Sequence, residues 1–245
     1  MASLNKILTN GKAMYLAYDQ GLEHGPIDFN DKNVNPEYIL DIAKKGKYNA
    51  VILQKGIAEK YRSKIKVPLI LKLNGKTSLV KGDPISTQLA TVEEAIKLKA
   101  AAVGYTIYIG SKHEDEMFEQ FENIQRNAHK KGIPVIAWIY PRSKSIKTYN
   151  RKLMAYASRT GLEIGADIIK IRYNGNPKDL AWAVKAAGKT KVVVAGGVKK
   201  SEKELLKQAK DIASSGAIGL AIGRNIWQHK NPLELTNKLR KIIWK

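Results

Sequence analysis

Short apolar runs alternate with longer amphipathic stretches from one end of the chain to the other. Eight runs read as strands: Ala13 to Asp19, Ala50 to Gln54, Pro68 to Asn74, Val103 to Tyr108, Pro134 to Tyr140, Asp167 to Tyr173, Val192 to Gly196 and Ala217 to Gly223. Helix signals stand between them. Asn35-Pro36 places an N-cap before a proline at the first helical position, with Ile39, Ile42 and Ala43 as the apolar stripe and Gly46 as the stop. Thr91 with Glu94, and Ser201 with Glu204, have capping-box spacing. Met117, Phe121, Ile124 and Ala128 recur with the 3.6-residue period, and Asn231-Pro232 opens a last helix carrying Leu235, Leu239 and Ile242. These stripes read as core faces. Strand and helix in strict alternation predict βα units around a parallel sheet.

Eight such pairs in 245 residues match the roughly 250 typical of a closed barrel. The expected fold is α/β, a single (β/α)8 TIM barrel with residues 1–245 as one domain. An open doubly wound sheet is the alternative. Its dinucleotide-binding form needs a glycine fingerprint after the first strand, and Asp19-Gln20-Gly21-Leu22-Glu23-His24-Gly25-Pro26 has the wrong spacing.

One strand breaks the apolar pattern. In Asp167-Ile168-Ile169-Lys170-Ile171-Arg172-Tyr173, alternation puts Ile169 and Ile171 on one face and Ile168, Lys170 and Arg172 on the other. Cations are rarely buried unless paired or used. Desolvation, and the permanent charge of Arg172 two residues away, are expected to push Lys170 toward its neutral, nucleophilic form, which can add to a carbonyl as a Schiff base. Alternatively, both cations reach solvent at the end of an edge strand.

A barrel gathers its active site at the C-terminal ends of its strands. Here those ends carry Asp19, Gln54, Lys72 with Asn74, Trp138 with Tyr140, and Lys170 with Arg172. The last two strands run into Ala195-Gly196-Gly197 and Gly223-Arg224-Asn225. Glycine backbone there can close around a phosphate, Arg224 can add a charged hydrogen bond, and these two loops are the usual phosphate site of the barrel. Tyr140 is the candidate proton carrier, its phenol pKa expected to be lowered by the two cations beside it; it could equally be an aromatic plug packed on Trp138. Asp19 could balance the cations and orient Lys170, or simply start a turn. Asn74-Gly75-Lys76-Thr77 and Ala187-Gly188-Lys189-Thr190 resemble the end of a P-loop, but Ile70 and Ala183 replace the earlier glycine.

Composition narrows the partners. Lys and Arg number 43 against 22 Asp and Glu, a net charge of +21, which favours anionic partners, nucleic acid or phosphorylated metabolites. The excess is spread as single and paired lysines, so solvated faces are the preferred explanation and nucleic acid is not an expected partner. Cysteine is absent, excluding disulfides and thiolate metal sites. The four histidines, His24, His113, His129 and His229, are scattered; no metal site and no cofactor are expected. His113, His129 and His229 read as surface residues, whereas His24 follows Asp19 and could bond a substrate oxygen. No apolar run approaches a membrane span and the start lacks a signal peptide's apolar core, so a cytoplasmic protein is expected.

The chain resembles the archaeal-type class I fructose-1,6-bisphosphate aldolases over essentially its whole length. The resemblance is carried by Ala17-Tyr18-Asp19-Gln20-Gly21-Leu22-Glu23-His24-Gly25-Pro26 with Asp28-Phe29, Lys55-Gly56-Ile57-Ala58-Glu59-Lys60-Tyr61, Leu71-Lys72-Leu73-Asn74-Gly75-Lys76-Thr77, and Val103-Gly104-Tyr105-Thr106-Ile107-Tyr108. Trp138-Ile139-Tyr140-Pro141-Arg142, Lys170-Ile171-Arg172-Tyr173 and Gly223-Arg224-Asn225-Ile226-Trp227-Gln228 complete it. It implies a metal-independent Schiff-base enzyme on a (β/α)8 barrel, with Lys170 forming the imine and Tyr140 moving the proton. Asp19, Gln20, His24, Asp28, Trp138, Pro141, Arg142, Ile171 and Arg172 are then expected along the substrate channel, and Ala195, Gly196, Gly197, Gly223 and Arg224 around the phosphate. By the same analogy a homo-oligomer, a large ring, is expected. Arg172 stands where a second lysine is usual, and Ala195 where a serine often precedes the two glycines. Related imine-forming barrels, such as the transaldolase-like synthase of archaeal aromatic amino-acid synthesis, share the lysine and the phosphate loops but are expected to lack the Gly-Leu-Glu-His-Gly-Pro loop.

Overall fold

The computed structural model describes residues 2–245. Its strands are β1 (Ala13–Ala17), β2 (Ala50–Gln54), β3 (Leu69–Lys72), β4 (Asn74–Gly75), β5 (Thr87–Gln88), β6 (Ala102–Ile107), β7 (Val135–Ile139), β8 (Ile168–Ile171), β9 (Lys191–Ala195) and β10 (Gly219–Ile222). Eight of them close a barrel in the order β1-β10-β9-β8-β7-β6-β3-β2, parallel throughout, while β4 and β5 pair antiparallel as a small ribbon. The expected barrel is therefore the observed fold.

Period-two alternation sorts each strand into two layers. Leu16, Val51, Leu71, Val103, Val135, Ile169 and Val194 face outward and share one buried cluster with the helical stripes Ile39-Ile42-Ala43, Met117-Phe121-Ile124 and Leu235-Leu239. Tyr15, Ile52, Ile70, Ile136, Ile168 and Val193 fill the interior, and Ile7 with Leu4 and Leu8 packs against this inner cluster. The helix starts follow the sequence signals: Asn35 caps Pro36–Lys45, and both capping boxes, Thr91 with Glu94 and Ser201 with Glu204, are formed.

The barrel strands end earlier than the apolar pattern suggests. Asp19, Asn74, Tyr140 and Arg172 all lie past the barrel ladder. Buried Asn74 explains the break after β3: its amide donates to the carbonyls of Ser86 (2.9 Å) and Thr106 (2.8 Å), and its oxygen accepts from the Thr106 N–H at 2.8 Å. It builds the ribbon and the loop over the barrel mouth, a structural task, so it does not belong with the reactive groups.

Candidate active site

The strand ends enclose a cavity of about 480 Å³ at the C-terminal mouth of the barrel. Its floor is organised by Gly104 on β6. A Cβ at that position would sit 1.9 Å from the indole of Trp138, so only glycine leaves room for the ring to lie across the barrel interior. Lys170 Nζ lies 4.9 Å from the indole centroid and Lys72 Nζ 5.4 Å from it. Both lysines are 6% exposed. The alternative that the cations of β8 simply run out into water fails for Lys170.

Burial brings the Lys170 ammonium down from 10.5 to about 8; Asp19 opposes the shift and Lys72 reinforces it. The cation assigned this effect from sequence, Arg172, is not its source. β8 ends at Ile171, and exposed Arg172 turns its guanidinium over the Tyr149 ring, 5.7 Å from the centroid, where water screens it. Lys72, from a strand nearly a hundred residues earlier, takes the place expected of Arg172. Asp19 Oδ2 is 3.9 Å from Lys72 Nζ, so the acid does balance the site's cations, but through Lys72. Among the described residues no carboxylate comes within ion-pair distance of Lys170.

Tyr140 lines the same cavity, its ring centroid 6.4 Å from that of Tyr108. Its pKa moves opposite to the expectation: burial first, then the charge of Asp19, raise it well above 10, and Arg172 only partly opposes this. Tyr140 therefore rests as a phenol with a proton to give. Two further donors, the Trp138 indole N–H and Gln20 Nε2, are buried without a partner and belong to residues lining the cavity. Buried donors in folded proteins are nearly always bonded, so this pair fits a ligand rich in oxygen.

The opposite wall is made by the loops after β9 and β10. Arg224 NH1 binds both oxygens of Asp28 (3.1 and 3.2 Å), and Asp28 Oδ2 is in turn 2.6 Å from His24 Nδ1. Asp28 thus stands behind the cavity as a brace for Arg224, and does not line it. His24 borders the cavity with only Nε2 left to meet a ligand. Gly196 borders the cavity, and its N–H donates to Ala221 O at 3.0 Å, so that backbone donor is already engaged. The turn falls on Gly197, φ +74°, a region glycine enters freely. Buried Asn225 fixes this wall, donating to the carbonyls of Gly196 (3.2 Å) and Val198 (2.9 Å) and accepting from the Lys200 N–H at 2.8 Å. Ala195 and Gly223 border the cavity as expected.

A buried amine without a counter-ion, facing a braced arginine and a glycine turn across one barrel mouth, is the layout of an imine-forming enzyme for a phosphorylated carbonyl compound. A family model described as DeoC/LacD family aldolase matches residues 13–229. The chain belongs to this aldolase family. The fructose-bisphosphate aldolase class 1 of Thermoproteus tenax is 48% identical over 238 residues, 96% of this chain and 90% of that protein. The protein of the same name from Halobacterium salinarum is 42% identical over 97% of this chain and 92% of its own length. Among solved structures, an archaeal fructose-1,6-bisphosphate aldolase with its catalytic Lys covalently bound to the carbinolamine intermediate of the substrate superposes with a TM-score of 0.94 at 45% identity, covering 99% of this chain and 98% of that one.

Around this aldolase's rim, Arg142 NH1 binds Glu23 Oε1 at 3.0 Å and stacks its guanidinium 5.7 Å from the Tyr108 centroid. Sequence reasoning misses Glu23 and Tyr108, which lie in ordinary-looking loop and strand ends; it places Lys72 at a strand end but assigns it no role, and only the cross-barrel packing brings it to the indole. Besides Asp28, two residues expected along the channel stay out of the cavity. Ile171 is fully buried on the outer face of β8, where alternation puts it among the helices, and Pro141 is buried behind the rim. His129 bonds Asp167 at 2.8 Å far from the site, and His113 is half-buried where exposure was expected.

Proposed function

We infer that the chain is a class I aldolase that reversibly cleaves fructose 1,6-bisphosphate into dihydroxyacetone phosphate and glyceraldehyde 3-phosphate. The observation that carries this reading is Lys170: a lysine held inside the barrel beside an indole, with no carboxylate within ion-pair distance among the described residues and its pKa brought down to about 8 chiefly by burial, is a nucleophile at moderately alkaline pH.

Neutral Lys170 adds to the ketone carbon, and nitrogen, carbon and oxygen form a carbinolamine. Tyr140 gives its phenolic proton to the departing hydroxyl; water leaves and the nitrogen becomes a protonated imine beside a phenolate. The phenolate then takes the proton of the hydroxyl on the aldehyde half. The carbon-carbon electron pair flows into the imine, giving a neutral enamine instead of a free carbanion. Glyceraldehyde 3-phosphate departs, Tyr140 returns its proton to the enamine carbon, and water hydrolyses the imine to release dihydroxyacetone phosphate and the amine. A phenol that rests protonated suits this order, because its first act is to donate. Arg224 and the Gly197 turn hold the phosphate of the ketone half, with Asp28 and His24 fixing the arginine. The unpaired donors of Trp138 and Gln20 meet sugar oxygens.

The same reading makes the protein a cytoplasmic homo-oligomer of sugar metabolism, which sedimentation of the purified chain checks for the assembly. Activity is tested by incubating the enzyme with fructose 1,6-bisphosphate and with other phosphorylated ketoses, and identifying products. Equimolar triose phosphates from the bisphosphate are expected; turnover of another ketose with none of the bisphosphate would displace this substrate.

A further inference from the structure

The catalytic cycle above leaves one buried group unused. Lys72 reaches the cavity floor from β3, as deeply buried as Lys170 and on the same indole. We propose that Lys72 is a positioning residue for the nucleophile: it is the resident ammonium of the pair, its proton held on the Asp19 side, and its charge, near the same Trp138 ring, adds to burial in favouring the free amine of Lys170. The proposal rests on the imine reading of Lys170.

Three observations support it. First, two amines share one carboxylate unequally: Asp19 Oδ2 is 3.9 Å from Lys72 Nζ, whereas among the described residues no carboxylate comes within ion-pair distance of Lys170. A proton shared between them therefore settles on Lys72. Secondly, the other charged groups around the cavity are otherwise engaged. Arg172 borders the cavity at its exposed rim with its guanidinium over Tyr149, Arg142 pairs with Glu23, Arg224 pairs with Asp28, and His24 is bonded to the same aspartate. Tyr140 and Tyr108 rest as neutral phenols, both raised chiefly by burial. Lys72 is left as the cation that acts on Lys170, adding to the larger effect of burial in a site where little water screens the two charges. Thirdly, the surface the two amines share is packed in place. A Cβ on Gly104 would come 1.9 Å from the Trp138 ring, so the indole near which both amines lie rests directly on the β6 backbone. Burial also lowers the Lys72 ammonium, while Asp19 and Glu23 work to retain it. Asp19, which also acts on Lys170, is placed to balance the imine cation once Lys170 has reacted.

The test is the pH dependence of single-turnover trapping with dihydroxyacetone phosphate and borohydride, the adduct mapped by mass spectrometry. In the unsubstituted enzyme the trapping rate on Lys170 should rise with pH through about 8. In Lys72→Met the rise should move to higher pH by about one unit, slowing trapping roughly tenfold at neutral pH and recovering at high pH. Lys72→Arg, which keeps the charge, should leave the midpoint near its original place. An adduct on Lys170 with an unmoved midpoint in Lys72→Met would overturn the role of Lys72 while sparing the imine; an adduct on Lys72 would reverse the assignment. Absence of any adduct on Lys170 in the unsubstituted chain would remove the imine reading itself. If Lys72→Met does not fold, nitrogen-15 NMR of lysine-labelled native enzyme decides: Lys170 should lose its proton before Lys72, and the opposite order overturns the proposal.

Discussion

The two ends of the cavity use the same kind of group, a side-chain cation, in opposite ways. Arg224 is 24% exposed and held by both oxygens of Asp28; Lys170 is 6% exposed and has no such partner. The arginine's charge is permanent, so the protein need only aim it, and a carboxylate brace does so at little cost near water. The lysine's charge is conditional, and withdrawing both water and counter-ion makes it leave. One wall is thus built to hold an anion and the other to expose a lone pair.

Removing the nucleophile should break the contrast most completely. Lys170→Met should abolish cleavage, by at least about 10⁴-fold, in a coupled assay, and it should also stabilise the fold. The folded value near 8 lies below the ordinary 10.5. Between these values the unfolded chain binds a proton that the native state lacks, so stability rises with pH through that window. Below about 8 the whole penalty is present, roughly 3 kcal/mol at ~1.4 kcal/mol per unit. Thermal melts at neutral pH should place Lys170→Met above the parent; a lower melting point would mean the amine is not strained by burial.

Tyr140→Phe ranks next, with a loss of about 10² to 10⁴ in kcat. Without the phenol proton, dehydration stalls, so the covalent species seen by mass spectrometry should still carry the hydroxyl. An unchanged kcat would reduce Tyr140 to packing. Arg224→Gln removes a charge-assisted contact of about 1.5–3 kcal/mol, and should raise KM by roughly ten- to a hundredfold with little change in kcat. Asp28→Asn should raise KM less, since it only loosens the brace. An Asp28→Asn effect exceeding that of Arg224→Gln would show the aspartate itself touches substrate. The smallest expected effect is that of exhaustive chelation, which should leave turnover unchanged.

Most of the fold was legible because each barrel unit advertises itself locally: Asn35-Pro36, the two capping boxes and the apolar stripe from Met117 to Ala128 depend only on neighbours in sequence. Lys170 and the two glycine loops were legible for the same reason, through an anomalous cation in an apolar strand and glycines at strand ends. What stayed hidden depends on distance across the barrel. Closeness in sequence points to Arg172 as the pressure on Lys170, yet the strand ends between them and the guanidinium stays at the exposed rim of the cavity, over Tyr149. Lys72 acts instead, through an indole that fits only because Gly104 has no side chain. The direction of the Tyr140 shift was missed because charge was counted and burial was not. Asp28 and Gly196 looked like ligand contacts, but their hydrogen bonds are already committed to Arg224 and to Ala221.

The claim on which the rest stands is that Lys170 attacks a sugar carbonyl. Borohydride reduction of the enzyme in the presence of dihydroxyacetone phosphate, followed by peptide mapping, tests it directly. A single reduced adduct on Lys170, formed equally well after chelation, is the predicted result. Stoichiometric turnover with no adduct, or with the adduct on another lysine, would contradict it.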